Sequence, residues 1–330
     1  MKYRKLGHSN IEVYEISLGC WTLGGLNWVD GVPNGWANVD ENEVSEAVNF
    51  AIENGVNHFD NADVYGNGRA ERLLAKILGN KTNNLTIATK VGWFKGTAIH
   101  AYLPHHIRQQ CIQSLINLKR EYIDLYYFHH ADFGTDDKYL DDAIAEMYKL
   151  KDEGKIRAIG LSAYRHEDFV KLIPKIKPAA IQSFANILDN RFLAGDSPTK
   201  KIADEHNASF VAFEPLSQGV LLGKYHSGVK PNFEAGDHRA NSKRFSPDYL
   251  NKIESFIKNF KEIFGSKDEQ LARASFQYLL SFDTVGTVIP GFRNLNQVKV
   301  NLALADKSLT SEELNKLNLL INKELSHRNI

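Results

Sequence analysis

A carboxylate, an ammonium, an imidazole and a phenol occupy equivalent places in this 330-residue chain. Asp60, Lys90 and His129 each stand at the end of a short apolar run, and Tyr65 follows the first of them in a loop. Together they make sense as a proton-donating site. A free phenol has a pKa of about 10, too high for easy exchange near neutrality. A neighbouring ammonium favours the phenolate and is expected to pull that value down. Asp60 would hold Lys90 charged and oriented, while His129 could hydrogen-bond to a carbonyl oxygen and align it. Such a site can protonate an alkoxide as it forms. No side chain supplies a hydride, so a cofactor is implied.

These residues need elements that deliver them to one place. Eight runs read as strands: Ile16–Trp21, Val56–Asn61, Leu85–Lys90, Ile123–His129, Ile156–Ser162, Ala180–Ala185, Ser209–Pro215 and Thr284–Pro290. Each is mostly apolar without clean alternation, as expected of parallel strands buried on both faces. Helical patterns lie between them. From Pro104, Ile107, Cys111, Leu115 and Leu118 share a face; Leu140, Ile144 and Met147 repeat the pattern, and a last helix starts at Ser311 with Leu314, Leu317 and Ile321 on one face. Eight such units predict a closed (β/α)8 TIM barrel, filling residues 1–330 as one domain, with its active site at the carboxyl ends of the strands. A doubly wound open sheet is the alternative. It would show a Gly-rich turn after strand one, and Gly24–Gly25 does not match G-x-G-x-x-G. Gly66-Asn67-Gly68 begins that pattern, but Glu71 occupies the third glycine's place.

Tyr3–Leu6 and Glu12–Tyr14, around Gly7–Asn10, predict a β-hairpin ahead of strand one. A long stretch, Ser217–Ser266, follows strand seven. In its second half Ser246 can N-cap a helix with Pro247 at N1, and Leu250, Ile253, Ile257, Phe260 and Phe264 form an apolar stripe. Its first half, with Gly228, Pro231 and Gly236, reads as a binding loop or lid.

Composition narrows the function. Forty basic and forty acidic residues balance to zero, which argues against a nucleic-acid or acidic-membrane partner recognised by bulk charge. Cys20 and Cys111 are the only cysteines, too few for a disulfide framework or a thiolate-rich zinc site. No secretory signal and no apolar run long enough to span a bilayer are visible, so a cytoplasmic protein is expected.

The segment Gly55–Gly66, GVNHFDNADVYG, resembles the G-x-N-x-F-D-T-A-x-x-Y-G signature of the aldo-keto reductase family, with Asn61 replacing Thr. The similarity runs from Tyr3-Arg4-Lys5-Leu6-Gly7 to the final helix. Tyr122–Asp132, YIDLYYFHHAD, resembles the strand carrying the family's catalytic His, which by position is His129. The resemblance implies that Tyr65 is the general acid, that Lys90 and Asp60 tune it, and that His129 orients the substrate carbonyl. It also implies a nicotinamide dinucleotide lying extended across the barrel mouth, against Gly19, Cys20, Trp21 and Asp60. Gly160–Ala163 resembles G-x-S-N: Ser162 is present to hold the carboxamide, and Ala163 replaces Asn. Gln182 matches a second carboxamide ligand.

Phe213-Glu214-Pro215-Leu216 resembles an aromatic-Ser-Pro-Leu segment whose ring stacks on nicotinamide, a role open to any π-face. Glu214 departs from it, and a carboxylate there would repel a pyrophosphate unless it points away. Gln218-Gly219 and Lys224 continue the match, with Lys224 near the pyrophosphate. Ile289–Asn301, IPGFRNLNQVKVN, resembles the I-P-G-x-R-x-x-x-Q-x-x-x-N segment that grips the adenosine phosphate. Gly291 allows close backbone approach. Arg293 can hold a 2′-phosphate as a planar fork, and Gln297 and Asn301, four apart, share a helix face. Because the segment holds Arg293 and Lys299 and no acid, NADP(H) is favoured over NAD(H). Arg239 and Arg244 in the long loop are further candidates to clamp phosphates.

An NADPH-dependent reductase of aldehydes or ketones is therefore expected, acting on a small carbonyl or sugar-like substrate. Trp21, Trp93, Phe94 and His130 would line the pocket, with Trp28 and Trp36 as further candidates. The alternative is an NADP(H)-binding regulatory module with little turnover, since the family includes potassium-channel beta subunits. A metal-dependent barrel hydrolase using His129, His130 and Asp132 would need further ligands, and strand one ends Gly19-Cys20-Trp21 with no His-x-His; no metal is expected. Monomer and homo-oligomer are both open.

Overall fold

A computed structural model describes residues 2–29, 31–226, 228–229 and 231–325. Eight parallel strands pair in chain order: Leu18–Gly19, His58–Asp60, Thr86–Val91, Ile123–Phe128, Ile156–Ser162, Ala180–Phe184, Ser209–Phe213 and Val285–Ile289. The ring is completed where Ile16 bridges Val288 and Gly19 bridges Gly291, both parallel. There the Ser17 N–H donates to the Val288 carbonyl at 2.9 Å and the Val288 N–H to Glu15 at 3.0 Å. The barrel reading thus holds, and the open sheet falls, because a doubly wound sheet leaves its outer strands unpaired.

Most strands lie within a residue or two of their expected limits. The first is shorter than Ile16–Trp21, because the chain leaves the sheet at Cys20 and enters a 3-10 turn at Trp21–Gly24. That turn lets Gly24 lie against Gly66, whose φ is +60° and where a Cβ would sit 2.3 Å from the Gly24 carbonyl. Only glycine fits there, and the tight crossing fixes the loop that carries Tyr65.

The hairpin forms as expected, Tyr3–Lys5 against Glu12–Tyr14, antiparallel. Its Leu6, Ile11 and Val13 pack with Ala88, Leu125 and Val211, plugging the amino end of the barrel. Helices such as Pro104–Leu118 and Leu140–Asp152 cover the outside of the sheet. Gly68, left-handed, precedes the helix Arg69–Leu78. Buried Glu71 accepts from Thr89 Oγ1 at 2.7 Å and Asn117 Nδ2 at 2.8 Å, so the partial glycine motif serves packing under strand three.

In the long stretch after strand seven, Ser246 Oγ accepts the Tyr249 N–H at 3.2 Å and starts the helix Pro247–Phe264. Its buried face is Leu250, Ile253, Phe256, Phe260 and Phe264. Phe256 takes the place expected for Ile257, which is only partly buried. The preceding segment is a loop broken by short 3-10 turns at His238–Asn241 and Lys243–Phe245.

Candidate active site

The second, third and fourth strands bring Asp60, Lys90 and His129 to the carboxyl-end mouth, and the Gly66 crossing adds Tyr65. Lys90 is fully buried. Its Nζ donates to Asp60 Oδ2 at 2.6 Å, to the Asn61 carbonyl at 2.6 Å and to Tyr65 Oη at 3.4 Å. Gln182 Nε2 holds the other carboxylate oxygen of Asp60 at 2.9 Å. From the loop after strand one, Asn27 Nδ2 donates to the Val64 carbonyl at 2.9 Å and steadies the Tyr65 turn. The His129 ring lies edge-on to Tyr65, centroids 6.0 Å apart.

The charge state of Tyr65 differs from the expectation. Burial, then the Asp60 carboxylate, push its phenol well above the ordinary value. The Lys90 ammonium does not reverse this, because its charge is already engaged by Asp60 and the Asn61 carbonyl. The phenol therefore stays protonated through the neutral range, the form needed by a proton donor. Burial, then the nearby Lys90 ammonium, hold His129 well below its ordinary pKa, so the ring is neutral. Its Nδ1 is buried without a hydrogen-bond partner.

Around this centre, Trp21 stacks on Tyr65 with centroids 6.1 Å apart. Trp93 is 6.3 Å from His129 and 4.8 Å from His130. His130 is restricted to a wall role: Nε2 contacts the Gly92 carbonyl at 3.0 Å, and Nδ1 takes the Asp132 N–H at 3.2 Å. Both nitrogens are thus committed, with the proton assigned to Nε2. That arrangement also removes His130 from the metal-site alternative.

Strands five to eight and strand one, whose ends carry Ser162, Gln182, Phe213, Gly291 and Gly19, are neighbours in the ring. Phe213 is partly exposed at the end of strand seven. Glu214 follows in a left-handed conformation, φ +57°. Its carboxylate binds Arg244 at 2.7 Å and takes a bond from Gln218 Nε2 at 2.5 Å, so the charge that would repel a pyrophosphate is neutralised from the long loop. Pro215 is buried, and Leu216 and Gly219 are partly exposed. Lys224 is paired with Asp268 at 2.9 Å, and Arg239 with Asp237 at 2.7 Å; a phosphate would compete for both cations. Cys20 has its thiol buried in the core, leaving only its backbone at the strand end.

At the far end, a Cβ built on Gly291 would meet nothing within 4 Å. Half-buried Arg293 donates its backbone N–H to Gln297 Oε1 at 2.7 Å. Burial and the nearby Arg239 disfavour its charge, a cost that a bound anion would relieve. Gln297 is thereby partly used in the helix start, leaving its amide N–H groups. Asn301 is buried, with Nδ2 unpartnered. Open space at Gly291, crowded guanidiniums and an orphaned amide fit a phosphorylated nucleotide.

Two mouth residues escaped sequence reasoning. Tyr164 stands two residues beyond the end of strand five at Ser162, a place that was the available signal, and its ring meets Phe213 at 6.3 Å. His238 packs between Trp21 and Trp36, 4.4 and 4.5 Å away, and no local pattern marks it. Among the described residues, no three His, Cys, Asp or Glu are grouped to hold a metal, and no helix is long and apolar enough to cross a membrane.

Comparison with known proteins gives consistent matches. The profile described as "Aldo/keto reductase family" matches residues 15–322. The uncharacterized oxidoreductase YqkF of Bacillus subtilis (strain 168) is 29% identical over 322 residues, covering 96% of this chain and 95% of that one. A probable voltage-gated potassium channel subunit beta of Arabidopsis thaliana is 26% identical, covering 93% and 92%. The holo form of an aldo-keto reductase from Bacillus halodurans superposes with a TM-score of 0.75 at 27% identity, covering 97% and 96%.

Proposed function

The chain belongs to the aldo/keto reductase family, and from that premise we propose that it reduces an aldehyde or ketone to an alcohol, reversibly, with NADP(H). The observation that carries this is the hydrogen-bonded set at the mouth: Lys90 Nζ lies 2.6 Å from Asp60 and 3.4 Å from Tyr65 Oη, beside a neutral His129. Bound there, the nicotinamide supplies the hydride. The protein's residues do the rest. Tyr65 Oη donates the proton to the forming alkoxide, and Lys90 Nζ, fixed by Asp60, offsets the phenolate left behind. The neutral His129 imidazole directs a hydrogen bond to the carbonyl oxygen and sets its angle of approach. Asp60 is itself held by Gln182, so the ammonium keeps one position through the cycle.

Phosphate selectivity rests on Arg293, whose buried charge lacks a neutralising partner as close as those of Arg239 or Arg244. A cytoplasmic setting fits two free, buried thiols, Cys20 and Cys111. The partner is a small carbonyl compound.

A titration that follows tryptophan fluorescence with NADPH and then NADH tests the reading, followed by turnover with a simple aldehyde. NADPH binding much tighter than NADH, with turnover, is expected. Binding of neither nucleotide would overturn it. Tight binding without turnover would instead favour a nucleotide-holding regulatory subunit, the role that the similarity to a channel beta subunit keeps in view.

A further inference from the structure

His129 has to aim its imidazole at the substrate carbonyl, yet its Nδ1 is buried without a hydrogen-bond partner. Its ring neighbours Tyr65 and Trp93 meet it edge-on, at 6.0 and 6.3 Å. With no hydrogen bond to Nδ1, the direction of the ring follows from the backbone that carries it. That backbone lies just past the end of strand four. The His129 N–H still donates to the Val91 carbonyl at 2.9 Å, and beyond this bond strands three and four part.

A side chain takes over from the sheet there. Tyr102 stands two residues before the helix Pro104–Leu118 and is fully buried. Its Oη donates to the His130 carbonyl at 2.7 Å and accepts the His130 N–H at 3.0 Å. A hydroxyl can do both at once. The ring stacks on Phe133 at 4.6 Å and meets Phe128 edge-on at 5.2 Å, so packing holds the hydroxyl in place. The other end of the same loop grips the same residue, because the Gly92 carbonyl lies 3.0 Å from His130 Nε2. A Cβ on Gly92, whose φ is +149°, would sit 2.6 Å from Tyr102 Oη. Glycine therefore leaves room for the hydroxyl at its working position.

We propose that Tyr102 is a positioning residue for carbonyl reduction: by bridging the His130 N–H and carbonyl, its hydroxyl fixes the peptide that follows His129 and so the direction of the His129 imidazole. The His130 N–H belongs to the planar peptide joining residues 129 and 130. Anchoring it sets the plane from which the His129 side chain departs. Trp93 lies between Gly92 and Tyr102, so the loop that walls the pocket also orients the histidine. The inference rests on the carbonyl-reductase reading and adds a residue to that site.

The test is a double-mutant cycle with Tyr102→Phe and His129→Gln, read as the turnover of propanal with NADPH. Tyr102→Phe keeps the ring and its packing and removes only the hydroxyl. His129→Gln keeps an amide donor without the ring's fixed direction. A displacement of about 1 Å at a reacting group can cost on the order of a hundredfold. A ring still held by its neighbours should lose less, so Tyr102→Phe alone should lower kcat by about tenfold. NADPH affinity, read by tryptophan fluorescence, should stay within about twofold, because the hydroxyl touches no expected cofactor residue. In the His129→Gln background, adding Tyr102→Phe should cost less than about twofold, since no imidazole is left to aim. The same tenfold loss in both backgrounds would show that Tyr102 only supports the fold, and would overturn the inference. So would Tyr102→Phe with wild-type kinetics. Absence of turnover in the wild type would refute the reductase reading and the inference with it.

Discussion

The buried Asp60–Lys90 pair allows a quantitative test through a double-mutant cycle with Asp60→Asn and Lys90→Met. The charges meet at 2.6 Å with side chains 5% and 0% exposed. At an effective dielectric of about 20 their attraction is about 6 kcal/mol, set against the desolvation of two buried ions. Removing one partner leaves the other buried and uncompensated, at a cost of about 3–5 kcal/mol. Lys90→Met strands the Asp60 carboxylate with only Gln182; Asp60→Asn strands the ammonium with the Asn61 carbonyl. The double variant strands neither, because asparagine can still accept from Gln182. It should therefore be no less stable than either single variant, with a coupling of about 3 kcal/mol between the substitutions. Urea unfolding at neutral pH, followed by circular dichroism, reads the effect directly. All three variants should be nearly inactive, since the ammonium that offsets the phenolate is lost or misplaced. Additive losses, agreeing to about 0.5 kcal/mol, would show that the two groups do not rely on each other and would refute this account.

Other substitutions probe the rest of the site. Tyr65→Phe should lower reduction by several orders of magnitude while NADPH affinity, read by fluorescence, stays nearly unchanged; retained activity would remove Tyr65 as proton donor. Arg293→Ala should weaken NADPH by at least about tenfold, the loss of one charge-assisted contact, and NADH by much less. Equal weakening in a titration would rule out the 2′-phosphate role. Acid should also destabilise the fold through His58, which is fully buried and bonded through Nδ1 to Ser17 Oγ at 2.7 Å. Burial lowers its pKa to about 4. Its neutral form contributes fully above the unfolded value of about 6.5, and that stability is lost as pH falls toward 4, up to about 3 kcal/mol. His58→Gln should flatten the decline of the urea midpoint between pH 7 and pH 4.5; a slope identical to the wild type's would sink this assignment.

Much of the architecture can be read locally. Buried parallel strands carry continuous apolar runs such as Ile123–Phe128, and Ser246 before Pro247 marks a helix start through a side chain bonding its own backbone. Such signals depend on neighbours in sequence, so the strand order and the meeting of Asp60, Tyr65, Lys90 and His129 at strand ends were accessible. The settings of those groups were not. Whether Lys90 lowers the Tyr65 phenol depends on what else the ammonium touches, and Asp60 and the Asn61 carbonyl claim it. Whether Glu214 obstructs an anion depends on Arg244, thirty residues further along the same long connection. His130 looks free in sequence, yet the backbone at Gly92 and Asp132 uses both its nitrogens. His238 reaches Trp21 and Trp36 from about two hundred residues downstream. The sequence by itself determined the barrel and the chemical types gathered at its mouth, because both follow from periodicity along the chain. Only the tertiary structure decided their charge states and free valences, because burial and pairing across distant loops set those, and neither is written in local spacing.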